Sequence, residues 1–191
     1  MNTDHESRPK AERRVSLNSS EIIKLKRPQA EEGIEITVKN GVIRIAANQT
    51  KHEGITLAFA CKADIFKFNY PGDLEITIEA ITDATYFVKT INKTESAAND
   101  SIIDWIIQLH IVRHEKNLES RLMKFFELLI TRLGKRTSDG LLLEHKLSHA
   151  RIAEIIGSTR STVSRTISTL RKSKQIYIDE LKSHIILPLN S

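Results

Sequence analysis

Residues 148 to 172, SHARIAEIIGSTRSTVSRTISTLRK, constrain the chain more than any other stretch. Ser148 is a good N-cap, and Ile152, Ala153 and Ile156 then fall at helical spacing on one face, which predicts a helix over residues 149 to 156. Gly157 ends it, because glycine enters a left-handed turn without steric cost. Ser158 and Thr159 can cap a second helix, whose inward positions are Val163, Ile167 and Leu170. Its other face carries Arg160, Ser161, Thr162, Ser164, Arg165, Thr169, Arg171 and Lys172. A small residue, a glycine turn and a β-branched core residue at Ala153, Gly157 and Val163 let two short helices cross closely, which makes this a helix-turn-helix. The second helix is short-chained and basic where a DNA major groove would meet it.

The motif alone also allows a helical hairpin inside another kind of domain, and its flanks argue against that. LLLEHKL ahead of it is an apolar run of strand length. Behind it, residues 176 to 178 and 184 to 187 are two β-rich runs joined by a polar turn. A helix-turn-helix followed by a hairpin is a winged helix. Charge agrees: residues 119 to 191 hold thirteen Lys and Arg against seven Asp and Glu, a balance of +6, while residues 1 to 118 stand at −1. A basic C-terminal third suits a phosphate backbone as partner.

Residues 21 to 91 have a different texture. EIIKLKR, IEITV, VIRIA, ITLAFA, IFKFNY, LEITIEA and TYFVKTI are short runs rich in Ile, Val, Thr and aromatics, which predicts an antiparallel sandwich or roll. Asn40-Gly41 between the second and third runs is a strong hairpin signal. Residues 1 to 19 are charged and aperiodic and read as a mobile tail in which Arg13 and Arg14 touch nothing.

From capping candidates Asn99, Asp100 and Ser101 onward there is no Pro or Gly until Gly134. Ile102, Ile103, Trp105, Ile106, Ile107, Leu109 and Val112 cover most of the helix circumference, so this helix needs two partners. We expect one face to pack on the roll and Ile102, Ile106 and Leu109 to form a dimer seam. Polar residues 113 to 117 then mark a hinge before a helix containing Leu122, Phe125, Phe126 and Leu129. The resulting division is a tail (1–19), a β-roll (20–98), a dimerisation helix (99–117) and a winged helix (118–191).

No apolar stretch approaches membrane length, and the polar N-terminus does not read as a signal peptide. The single cysteine, Cys61, rules out internal disulfides and fits a reducing compartment, a bacterial cytoplasm or a plastid stroma. His110 and His114 stand four apart, but no third ligand follows with motif spacing, so no metal or other cofactor is expected. No nucleophile triad, paired carboxylates or phosphate loop appears, which argues against an enzyme.

LSHARIAEIIGSTRSTVSRTISTLR, with ESRLMKFF upstream of it, resembles the DNA-binding domain of the Crp/Fnr transcription regulators, and within them the cyanobacterial and plastid global nitrogen regulators. The resemblance is strong from Glu119 onward. It implies an α+β homodimer: an N-terminal β-roll of the cyclic-nucleotide-binding type, here abbreviated, a long dimerisation helix, and a C-terminal winged helix on double-stranded DNA, with RNA polymerase a further candidate partner. EEGIEITVKNGVIRI lines up with the part of the family's roll that ends in a glycine-led hairpin, with Gly41 in that place. By resemblance Arg160, Ser161 and Arg165 hold the three base-reading places. Ser148, Thr159 and Thr162 are placed to donate to phosphates, with Lys182 in the wing as a further contact.

The sequence departs from the family where effectors bind. Residues 66 to 88 contain no arginine to grip an anionic ligand. Ile102 and Ile107 stand where the nitrogen regulators use an arginine and a glutamate for 2-oxoglutarate. A dicarboxylate needs cationic or amide donors to offset its desolvation, so neither the 2-oxoglutarate nor the cyclic-nucleotide site is expected to survive. One cysteine likewise excludes the four-thiolate iron–sulfur cluster of the family's oxygen sensors. The expectation is a sequence-specific regulator, activating transcription in the manner of nitrogen regulation, with a degenerate effector site. The alternative is a winged-helix module that binds another protein.

Overall fold

The structure, a computed structural model, describes residues 12–48, 54–69, 72–96, 101–138 and 140–188. Most of the expected tail, Tyr70 of the IFKFNY run, and the capping candidates Asn99 and Asp100 lie outside the described residues.

Eight strands form the N-terminal roll: β1 (Arg13–Leu17), β2 (Ile22–Lys24), β3 (Glu32–Asn40), β4 (Ile43–Asn48), β5 (Ile55–Ala60), β6 (Ile65–Phe68), β7 (Glu75–Ala80) and β8 (Ala84–Asn92). They make two four-stranded antiparallel sheets, ordered β1-β8-β3-β6 and β2-β7-β4-β5, which is a jelly roll. The two inner faces meet in a dry core: Ile34, Ile36, Val38 and Tyr86 from one sheet, Ile43, Ile45, Ile76 and Ile78 from the other, all almost fully buried.

Two sequence expectations are corrected here. Residues 13 to 17 are not tail but strand β1, paired with β8 from Arg13↔Val88 to Leu17↔Ala84. Val15 and Leu17 alternate with charged and polar neighbours and pack against the core, a signal too short to stand out beside the charged run before it. Asn40-Gly41 does not close a hairpin either, because β3 and β4 belong to different sheets. Gly41, at φ +76°, turns a corner there, and a Cβ would lie 2.1 Å from the Asp83 carbonyl oxygen. The glycine is needed for a close approach between backbones rather than for a two-residue turn.

A short helical turn, α1 (Lys93–Ser96), leaves the roll, and the long helix α2 (Ser101–Arg113) follows. Its Trp105 packs on Phe59 of β5, ring centroids 5.7 Å apart, and is covered by the Arg132 guanidinium at 4.5 Å. The polar break at residues 114 to 117 falls where the sequence indicates, and Asn117 caps α3 (Leu118–Leu133) by accepting from the Ser120 N–H at 2.8 Å. Leu122, Phe125, Phe126, Leu129 and Ile130 of α3 are buried under the C-terminal domain.

That domain continues with β9 (Lys135–Thr137), β10 (Gly140–Leu143), helices α4 (His149–Ile156) and α5 (Arg160–Lys172), and strands β11 (Tyr177–Asp179) and β12 (His184–Leu187). Its four strands form one antiparallel sheet ordered β11-β12-β10-β9. Strand β9 is the element the sequence does not announce: KRT has no apolar alternation and is held by its partner β10. No helix among the described residues is long and apolar enough to cross a membrane.

Candidate nucleic-acid interface

The helix-turn-helix is built as its residues dictate. The Ser148 hydroxyl caps α4 by accepting from the Arg151 N–H at 3.1 Å. Gly157 ends α4 in the left-handed region, at φ 69° and ψ 59°. The Thr159 hydroxyl caps α5 by accepting from the Thr162 N–H at 3.2 Å. Val163, Ile167 and Leu170 turn inward and are buried, which leaves the opposite face of α5 to solvent.

On that face Arg160, Ser161 and Arg165 are all exposed. Among the described residues neither arginine takes part in an ion pair, so both guanidinium groups remain available to an outside acceptor. At the N-terminus of α5 the Thr159 hydroxyl lies 3.1 Å from that of Ser161 and 2.8 Å from that of Thr162. Three hydroxyls and the free N–H groups of the first turn make a donor-rich end that favours an anion. Farther along, Thr166, Ser168 and Thr169 turn their hydroxyls back onto carbonyls of their own helix. Their donors are therefore spent, and the usable ones cluster at the helix start. Ser148 is exposed, and its oxygen, although it accepts from Arg151, still carries a donor proton. Lys182 is exposed in the turn between β11 and β12, where Asp179 accepts from its backbone N–H at 3.1 Å.

The expected dimer seam needs correction. Ile102 and Leu109 are buried in the protomer's own core with Trp105 and Val112, because positions three and four apart on α2 face β5 of the roll. Of the three residues only Ile106 is outward, at 42% exposure. The outward apolar stripe is Ile103, Ile106, Ile107 and Ile111, at 56%, 42%, 51% and 42% exposure. An all-round apolar helix leaves the choice of inward face to tertiary packing, so the sequence alone could not make it.

The His110 and His114 rings lie with centroids 4.1 Å apart, tilted by 49°, and among the described residues no group of three metal-capable side chains occurs. A cavity of about 570 Å³ lies where β5, α2 and α4 meet, lined in part by Ile106, His110, Arg113, Glu154 and Ser158. Burial pushes the Cys61 thiol up to about 11, which keeps it in the unreactive protonated form.

A basic, uncommitted helix seated on a helix-turn-helix and flanked by a β-hairpin defines a winged-helix protein. Residues 120–188 match the Crp-like helix-turn-helix domain. The chain is 40% identical over 74 residues to the global nitrogen regulator of Synechococcus elongatus and to that of a Nostoc species. The match takes in 39% of this chain and about a third, 33%, of each relative's length. Solved structures share the fold over most of the chain. FixK2 from Bradyrhizobium japonicum superposes with a TM-score of 0.66 at 18% identity, over 93% of this chain and 92% of its own. A CooA mutant from Carboxydothermus hydrogenoformans gives 0.65 at 20% identity, over 92% and 83%.

Proposed function

We propose that the chain is a sequence-specific DNA-binding transcription regulator that acts as a homodimer on two inverted half-sites. The observation that carries this reading is the pair Arg160 and Arg165, exposed and free of ion pairs on the outer face of a capped recognition helix. Arginine bridges guanine N7 and O6 in a fork that no other side chain matches. Five residues are about 1.4 turns, so the two side chains leave the helix roughly 140° apart and flank its groove-facing surface, from which both can reach base edges. Ser161 between them reads the intermediate step. Ser148, Thr159, Thr162 and Lys182 hold the phosphates on either side. The stripe Ile103, Ile106, Ile107 and Ile111 meets its copy across a two-fold axis, placing two recognition helices about 34 Å apart on one DNA face. RNA polymerase is the partner such a regulator addresses when it activates.

The departures in the roll support the absence of the family's 2-oxoglutarate response. Ile102 is buried against the roll and Ile107 is an outward apolar side chain, so neither supplies a donor for a dicarboxylate.

The test is binding of the full chain to a palindrome with GTA and TAC arms, against a scrambled duplex, at two salt concentrations, with and without 2-oxoglutarate. Specific binding indifferent to 2-oxoglutarate is expected. The Arg165→Ala variant should lose discrimination by at least tenfold, since each bidentate pair contributes about 1–3 kcal/mol. Unchanged discrimination in that variant refutes the base-reading role. Equal, weakly salt-dependent binding to both duplexes favours a protein-interaction module instead.

A further inference from the structure

The roll and the winged helix meet through a cluster of four charges, Arg44 buried and Glu79, Arg151 and Glu154 half-buried. Arg44 on β4 and Glu79 on β7 are directly opposed across the sheet, and both point away from the roll's core toward α4. There they meet Arg151 and Glu154, one helical turn apart. Arg44 donates to Glu79 at 2.8 Å and to Glu154 at 2.6 Å. Its remaining donors reach the Thr56 hydroxyl at 2.7 Å and the Gly54 carbonyl at 2.8 Å. Arg151 pairs with Glu79 at 2.9 Å and also with Glu154 on its own helix. The Arg44 side chain is only 3% exposed. Two positive and two negative charges alternate, so the cluster is neutral, and each carboxylate bridges both arginines.

A largely buried ion cluster of this kind is a poor way to gain stability, because desolvation cancels most of the attraction. It is a good way to define one orientation. Apolar contacts tolerate sliding, whereas a planar guanidinium with four partners does not. The grip falls on α4, the helix that carries α5, and on the far side of the polar break at residues 114 to 117. Without it the covalent path from α2 to the reading helix runs through that break.

We propose that Arg44, in the roll, is a positioning residue for DNA recognition: with Glu79 it holds Arg151 and Glu154 of α4 and thereby sets the spacing between the two reading helices of the dimer. This rests on the function proposed above. The cluster selects operators by the distance between their arms and leaves each half-site contact unchanged.

Two readouts test it in the full chain, with Arg44→Met and the milder Glu154→Gln as variants. The first is affinity for palindromes whose arms are moved apart in single base-pair steps, each of which also rotates one arm about the DNA axis. The wild type should lose at least tenfold in affinity one step from its optimum, and both variants should show that profile flattened to within about threefold. The second needs no DNA: the distance between spin labels on Lys62→Cys of the roll and Leu181→Cys of the wing, in a Cys61→Ser background diluted with unlabelled protein. A narrow distance distribution should broaden in each variant. A spacing profile and a distribution both unchanged in a folded variant overturn the proposal. If the wild type binds no operator specifically, the DNA reading fails, and the label distances alone then decide whether Arg44 orients the head: broadening upholds that role and an unchanged distribution ends it.

Discussion

Replacing Ile107 by glutamate should dissociate the dimer, and the size of the effect follows from the exposed face of α2. Four isoleucines there keep roughly half of their surface in water within the protomer. Full burial of such a side chain is favourable by roughly 1.5–3 kcal/mol, so covering the exposed half contributes about 1 kcal/mol each. Four on each of two helices then supply roughly 8 kcal/mol, which lies within the approximate 4–15 kcal/mol cost of association. The stripe thus offsets most of the association cost, and a dimer cannot form without it. A glutamate at 107 enters twice by symmetry, removes about 1 kcal/mol of burial each time, and brings two unpaired carboxylates into an apolar seam at a cost of several kcal/mol. A loss of at least about 4 kcal/mol weakens dimerisation about a thousandfold. Sedimentation velocity across a hundredfold range of concentration should show a dimer for the wild type and a monomer for the variant. The variant's secondary structure should be intact, because Ile107 is not part of the protomer's core. A variant that still sediments as a dimer at the same concentrations refutes the placement of the seam.

Lys182→Ala should weaken binding to operator and scrambled duplex alike and reduce the salt slope by about two, as expected for one lost phosphate contact in each subunit; a selective loss on the operator would instead make Lys182 a base reader. Burial pulls the His145 imidazole down to about 4, although the Glu144 charge opposes the shift, so the native state holds this ring neutral. The unfolded chain then binds the extra proton between about pH 6.5 and 4, and stability falls as pH drops through that window, by about 3 kcal/mol in all. His145→Leu should flatten the slope of denaturation midpoints over that range, and an unchanged slope would assign the acid sensitivity to other groups.

The helix-turn-helix was legible residue by residue because its information is local. Ser148, Gly157 and Thr159 are cap and turn residues whose chemistry acts within four positions, and the structure uses each as read. Seven runs of the roll were legible from composition for the same reason. Partnership was not: β1 is stabilised by β8, far along the chain, and the alternation of Val15 and Leu17 gains meaning only from that neighbour. The inward face of α2 was likewise undecided, since isoleucine surrounds the helix and its packing on β5, where Trp105 meets Phe59, leaves Ile102 and Leu109 inward. Arg44 left no signal at all. A single arginine in VIRIA reads as the solvent side of a strand, and nothing nearby announces that Arg151 and Glu154, over a hundred residues later, will meet it.

The pairing of β1 with β8 and of β2 with β7 also determines when the roll can exist during synthesis. The first two strands emerge from the ribosome early, yet Leu17 must wait for Ala84 and Ile22 for Glu79 before either has a neighbour. At about 5–20 residues per second that interval lasts on the order of 3 to 13 seconds, during which apolar strand edges stand open. The pairs are nested, β4 with β5, β3 with β6, β2 with β7 and β1 with β8, so the roll can close only from its middle strands outward, and β1 is secured last.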